Sequence, residues 1–368
     1  MARSSWRRSA GLIGVAVLST TLVSGAGVYA RGPVGRPAAS ATIPIARGAP
    51  AEAPVVVEYR LPRPGAFPHD PAVGPDGTVW YTDQANSFIG RLDPATGKVT
   101  DYPTPTPKSG PHGILVGPDG AVWYTANFVG RIGRLDPATG KIREFVLPPA
   151  AEDPHTPLLH DGLLWFTAQR SNLIGRLDPA TGDVKIFPVA TAHALPYGIV
   201  AAPDGGVWVA LFGTNEVAHV VPATGAIHEI KLPGDDTRPR RLVVDASGRV
   251  WFSDFGSSHL GVLDPHTRSV RTFPTPDADG KPYGIAIGPD GRIWYNESSR
   301  GKIVAFDPAT EKSEVLAIPT SGAIVRNIAV DATRGRIWLA LSGTGRLGRI
   351  DVAPAKRTAD GAASGAGR

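Results

Sequence analysis

Seven times along the chain a short apolar run breaks at a glycine-containing turn and resumes as an alternating segment built around a tryptophan. In the clearest copy, Gly113-Ile114-Leu115-Val116 leads into the turn Gly117-Pro118-Asp119-Gly120, and Val122-Trp123-Tyr124-Thr125 follows. After a loop comes Ile132-Gly133-Arg134-Leu135. Asp136-Pro137-Ala138-Thr139-Gly140 then turns the chain into a last alternating segment, Ile142 to Leu147. Apolar positions recur every second residue and favour β-branched and aromatic side chains, which predicts strands. The breaks are turns by mechanism: proline fixes φ, aspartate bonds the backbone through its side chain, and glycine takes the φ > 0 position. Trp80, Trp123, Trp165, Trp208, Trp251, Trp294 and Trp338 mark the phase at intervals of 42 to 44 residues.

Four short strands per unit and seven units predict an all-β fold, a seven-bladed β-propeller of four-stranded blades. The two ends support a closed ring over an open solenoid. The unit around Trp338 supplies only a third strand, Arg346 to Ile350, before an Ala/Gly-rich tail begins. The missing fourth strand stands at the other end of the repeat region, where Val55 to Pro62 matches the pattern of Lys141 to Pro148. The N-terminal strand is therefore expected to complete the last blade and leave no free sheet edge. The seven tryptophans are expected in the core between blades. The propeller spans 54–352, with a Pro/Ala-rich linker at 31–53 and a disordered tail at 353–368.

Composition adds the compartment. Arg3, Arg7 and Arg8 precede an uncharged apolar run from Gly11 to Val28, and Val28-Tyr29-Ala30 carries a cleavage pattern. Residues 1–30 read as a secretory signal peptide cut near Ala30, which leaves no stable membrane insertion in the mature chain. The surroundings of Arg7-Arg8 favour general export over the twin-arginine route. The chain contains no cysteine, so an exported fold here relies on packing and closure, and no thiolate metal site exists. The net charge of +5 sits in the ends. Three arginines fall in 1–30, and 31–53 and 353–368 each add +2, which leaves 54–352 at −2. A nucleic-acid partner would want that charge on the folded domain. A monomer and no organic cofactor are expected.

Candidate chemistry lies where the repeats disagree. The residue ahead of each first strand changes from copy to copy: His69, His112, His155, Tyr197, Arg240, Tyr283 and Arg326. In a propeller these seven converge on the mouth of the central channel. Three residues after each tryptophan stand Asp83, Ala126, Ala168, Leu211, Asp254, Glu297 and Leu341. His112 and His155 are the candidate bases, and Asp83, Asp254 and Glu297 the candidate ligands of a divalent metal. His69, Tyr197, Arg240, Tyr283 and Arg326 are the candidate ligand-binding residues, the arginines suited to a carboxylate or a developing oxyanion. Gly343 to Gly348 spells G-x-G-x-x-G but lies between strands and opens no helix, so it carries no dinucleotide reading.

The phrases Pro-His/Tyr-Gly-Ile, Gly-Pro-Asp-Gly, Trp-Tyr/Phe-Thr and Ile-Gly-Arg-Leu resemble the virginiamycin B lyase (streptogramin lyase) family across the whole propeller. That resemblance implies linearisation of a cyclic depsipeptide antibiotic by elimination, with Mg²⁺ and a histidine base. It also implies a last-blade Glu-Pro-His-Gly segment with a second glutamate fourteen residues after the histidine. Here the last blade reads Ile324-Val325-Arg326-Asn327, with the second acid's place close to Ser342. The sixth blade keeps Tyr283 and Glu297 fourteen apart but has Lys281 at the first acid's place. The third has Asp153-Pro154-His155 and Gln169. Three readings stay open: a binder of a small molecule, cyclic ester or peptide at the mouth, with metal-assisted C–O cleavage of a lactone or cyclic ester; an active streptogramin lyase; and a non-catalytic extracellular interaction propeller.

Overall fold

The alternating segments pair in sequence order. A computed structural model of the chain describes residues 54–298 and 300–352, so the expected signal peptide, linker and tail lie outside the described residues. Within them are seven four-stranded antiparallel sheets. The innermost strands are Pro68–Val73, Pro111–Val116, Pro154–His160, Pro196–Ala201, Pro239–Val244, Pro282–Ile287 and Val325–Asp331. The last sheet orders Val325–Asp331, Arg336–Leu341 and Arg346–Asp351, then takes Val56–Arg60 as its outer strand. Pairing runs from Val56 opposite Ile350 to Arg60 opposite Arg346. The N-terminal strand closes the ring, as the repeat pattern predicts. No helix among the described residues is long and apolar enough to cross a membrane.

The repeated residues are accounted for by packing. All seven tryptophans are buried, and each packs into the core shared with the following blade. Trp123 sits with Leu164 and Phe166, Trp294 with Ile328 and Ile337, and Trp338 with Val79 and Leu92 of the first blade. The glycine of Ile-Gly-Arg-Leu lies beneath the aromatic residue that follows the tryptophan. A Cβ on Gly133 would come within 2.0 Å of the Tyr124 ring, and one on Gly90 equally close to Tyr81.

One correction concerns the start of the innermost strands. The variable residue does not precede the strand; it is the strand's second residue, on a β-bulge. Pro111 pairs with Ala126 and Ile114 with Tyr124, so two residues, His112 and Gly113, stand where one would fit. The same shift recurs in all seven blades. A bulge re-aims side chains at the end of a strand, and here it delivers two consecutive residues per blade to the channel.

Candidate functional site

A hydroxyl ladder fixes the bulges. Thr125 Oγ1 accepts a bond from the Gly113 N–H at 2.9 Å and donates to the His155 carbonyl of the next blade at 2.8 Å. Thr82, Thr167 and Ser253 make the same pair of bonds; Asn296 accepts from the Gly284 N–H and its amide donates to the Val325 carbonyl, one residue earlier in the next blade. Alanine takes the equivalent places in the fourth and seventh blades, Ala210 and Ala340. In the seventh, Ser342 Oγ reaches instead to the Pro68 carbonyl of the first blade.

With the backbone so fixed, the side chains fill the channel. His69, His112, His155 and Tyr197 form a continuous column, with successive ring centroids 3.9, 3.8 and 4.0 Å apart. All four are buried. The Tyr197 and Tyr283 hydroxyls hydrogen-bond each other. The Arg240 guanidinium lies 3.9 Å from the Tyr283 ring centroid, 4.5 Å from Phe255, 4.8 Å from Phe212 and 4.9 Å from Tyr197, and donates to the Tyr197 hydroxyl at 3.2 Å. Arg326 stands 5.8 Å from the Phe67 ring. The seven variable residues are thus gathered at the channel, five of them buried and the two arginines half-buried.

The second bulge residue carries an element absent from the seven-residue expectation. It is glycine in three blades, but Asp70 in the first and Arg241 in the fifth. Arg241 Nη2 donates to both Asp70 oxygens, at 3.1 and 2.9 Å, and both residues are buried. This ion pair spans the channel between blades that are not neighbours. The sequence held its signal: Pro-His-Asp and Pro-Arg-Arg put charged residues where three other blades write Pro-His-Gly or Pro-Tyr-Gly and the remaining two carry Thr156 and Asn327.

Burial dominates the electrostatics. Burial alone would raise the Asp70 carboxyl, but Arg241 and the hydrogen bond from His69 Nδ1 at 2.9 Å overcome it and hold the group well below its usual range. Burial lowers all three histidines, His112 and His155 strongly, with their imidazole and arginine neighbours adding to it. The column is therefore neutral at pH 7, as a buried, crowded set of imidazoles must be. His155 Nδ1 contacts Thr156 Oγ1 at 3.0 Å, while His112 Nδ1 is buried without a partner.

The three acids expected as metal ligands lie elsewhere: Asp83 and Glu297 are turned under the loops that link successive blades, and Asp254 under a loop within its own blade. Asp83 accepts from Phe67 N at 3.1 Å and Asn86 Nδ2 at 2.8 Å, with Arg63 at 3.4 Å. Glu297 accepts from Asp277 N at 3.0 Å, and Asp254 from Ser257 N at 2.9 Å. Burial raises all three, Asp254 to about 6. The structure does not bring them together with the histidines.

Among the described residues one group has metal-ligand spacing, His69, Asp70 and His112. It does not fit the Mg²⁺ that the resemblance implies. Mg²⁺ favours a nearly all-oxygen octahedron, and this group offers two imidazoles and one carboxylate. That carboxylate already holds a buried guanidinium, which a divalent ion beside it would repel. The last-blade comparison also sharpens. Val325 pairs with Leu341 as Pro282 pairs with Glu297, so Leu341 rather than Ser342 occupies the second acid's place.

Comparison with known proteins completes the picture. The model of the Virginiamycin B lyase family matches residues 44–269, ending in the fifth blade, ahead of Tyr283, Glu297 and Arg326. No curated protein sequence matches significantly. Among solved structures, selenomethionine-substituted virginiamycin B lyase from Staphylococcus aureus superimposes with a TM-score of 0.76 at 24% identity, over 82% of this chain and all of that one. A catalytically inactive variant of that enzyme, solved with quinupristin, gives 0.76 at 23% over 82% of this chain and 100% of that one. Hydrazine synthase from Kuenenia stuttgartiensis gives 0.68 at 15%, over 83% of this chain and 100% of that chain. At these identities the structural likeness establishes the fold.

Proposed function

We infer the function from one premise: this chain belongs to the virginiamycin B lyase family. On that premise it is an extracytoplasmic ligand-binding propeller that takes a small molecule at its channel mouth without metal-assisted cleavage of an ester. The observation that carries this reading is the Asp70–Arg241 ion pair. It places a fixed cation against the one carboxylate among the described residues that shares a metal-like group with histidines. An elimination needs a base that reaches a substrate proton and a counter-charge for the departing carboxylate. His112 and His155 are neutral, as a base must be, yet each is pressed between neighbouring rings and about 4% exposed. The last-blade positions carry Arg326 and Leu341, neither of them a base or an acid. Half-buried Arg240, Arg326 and the rings around them retain what binding requires: a concave, rigid surface with a few fixed polar groups.

The test is incubation of the mature protein with quinupristin, with and without Mg²⁺, followed by chromatography and mass measurement. Ring opening by elimination yields an isomer of unchanged mass and altered retention, whereas hydrolysis adds one water. The expected result is unaltered quinupristin under both conditions. Mg²⁺-dependent appearance of the isomer would replace this reading with that of an active lyase. Export is tested separately, by N-terminal sequencing of the secreted protein, which should begin just after Ala30.

A further inference from the structure

The charges at the mouth do not balance, and the excess has one sign. Arg240, Arg241 and Arg326 all act on the buried histidines, against the single carboxylate of Asp70, which Arg241 engages through both oxygens. Among the described residues neither Arg240 nor Arg326 has a carboxylate in ion-pair contact, and each keeps a buried Nε without a hydrogen-bond partner. Most other arginines of the propeller behave differently: Arg63, Arg292, Arg334 and Arg346, for example, all face carboxylates. Arg91, Arg241 and Arg349 also carry a buried Nε without an acceptor, but each engages a carboxylate through Nη2; Arg240 and Arg326, which engage none, are left to take a counter-anion from outside.

The surroundings of the two arginines define that acceptor further. Four aromatic rings hold the Arg240 guanidinium in place, so its N–H edge is oriented before any ligand binds. Phe212 and Phe255 flank it, their centroids 5.8 Å apart and both half-buried. Lys281 Nζ lies 6.0 Å from the Phe255 ring, but it pairs with Asp279 at 3.6 Å and so adds little net charge. Beside Arg326, Phe67 lines a cleft of about 460 Å³ between the first and last blades, together with Pro64 and Ser342. Cations that lack counterions, next to half-covered aromatic surface, select an oxyanion on a flat apolar body.

We propose that the channel mouth is an anion site, in which Arg240 and Arg326 bind the carboxylate of a small aromatic acid whose ring rests on the neighbouring phenylalanines. The proposal rests on the ligand-binding reading above and names its ligand class.

The experiment is calorimetric titration of the full mature protein at low salt with benzoate, phenylacetate, acetate, inorganic phosphate and the neutral isostere benzamide. Benzoate or phenylacetate should bind at one site, at least about tenfold more tightly than benzamide or acetate, and more weakly as salt rises. Arg240→Gln and Arg326→Gln should each weaken binding about tenfold or more in protein that still melts as one cooperative fold. Should either glutamine variant unfold, Arg326→Lys keeps the charge, loses the forked geometry and should bind with intermediate affinity. Phosphate binding as tightly as benzoate would assign the site to oxyanions in general and overturn the aromatic class. Benzamide binding as tightly as benzoate would overturn the anion site while leaving a ligand-binding mouth. No binding by any probe at millimolar concentration would overturn the anion site, and the quinupristin assay would then decide the broader reading on its own.

Discussion

At the scale of single residues, the behaviour of this protein turns on what burial does to charge. Asp70 and Arg241 are separated by 171 positions in sequence and meet inside the channel. Asp70→Asn should destabilise the fold by about 3–5 kcal/mol, because it leaves a guanidinium buried without its counter-charge. The double variant Asp70→Leu/Arg241→Met should recover most of that loss, since a well-packed apolar pair replaces a buried ion pair at little cost. Urea denaturation of the three proteins measures both effects, and a neutral single variant would contradict the account of the pair. Asp254 gives a pH-dependent case. Burial lifts its carboxyl to about 6, above the roughly 3.9 of an unfolded chain. The folded state holds a proton that the unfolded state releases first, so stability falls as pH rises from about 4 through about 6. Asp254→Asn removes that loss. The variant should match the parent near pH 4 and exceed it by about 1–3 kcal/mol at pH 7.5, as read from melting curves at the two pH values.

Elements follow the sequence closely except where they bend. Strand order and turns were legible, because period-two alternation and Gly-Pro-Asp-Gly turns are local signals. The bulge was not. An extra residue at the end of a strand leaves the alternation of the rest intact, so His112 reads as preceding its strand when it lies within it. The same blind spot hid Asp70 and Arg241, whose side chains reach the channel only because the bulge turns the second residue inward. Asp83, Asp254 and Glu297 also look like rim residues in the sequence, when their carboxylates hold backbone N–H groups of loops, Asp83 and Glu297 between blades and Asp254 within its own. The ladder that fixes the bulges is testable through Thr125, whose hydroxyl makes two buried bonds. Thr125→Val keeps the shape, removes both, and should cost about 1–3 kcal/mol in chemical denaturation. An unchanged midpoint would mean that the strands hold the bulge without it.

For the whole molecule, the count of blades and the closing of the ring could be read from seven tryptophans and one missing strand. The contents of the channel could not, because they depend on which side chains from seven distant segments meet at one axis. Closure carries the stability of a chain without disulfides. A protein beginning at Leu61 loses the strand Val56–Arg60 and exposes the edge of Arg346–Asp351. It should melt well below the parent and self-associate, because an unpaired edge recruits other chains; calorimetry and size-exclusion chromatography would show both. In the function proposed above, the charge placed in the channel selects the ligand. Family membership points to a metal, while the residues present at the mouth point to an anion held by arginine. The most direct test is titration of Mg²⁺, Mn²⁺ and Zn²⁺ into the metal-free mature protein. No stoichiometric binding of any of the three is expected; one tight site, lost in Asp70→Asn, would show that the His69, Asp70 and His112 group holds a metal after all.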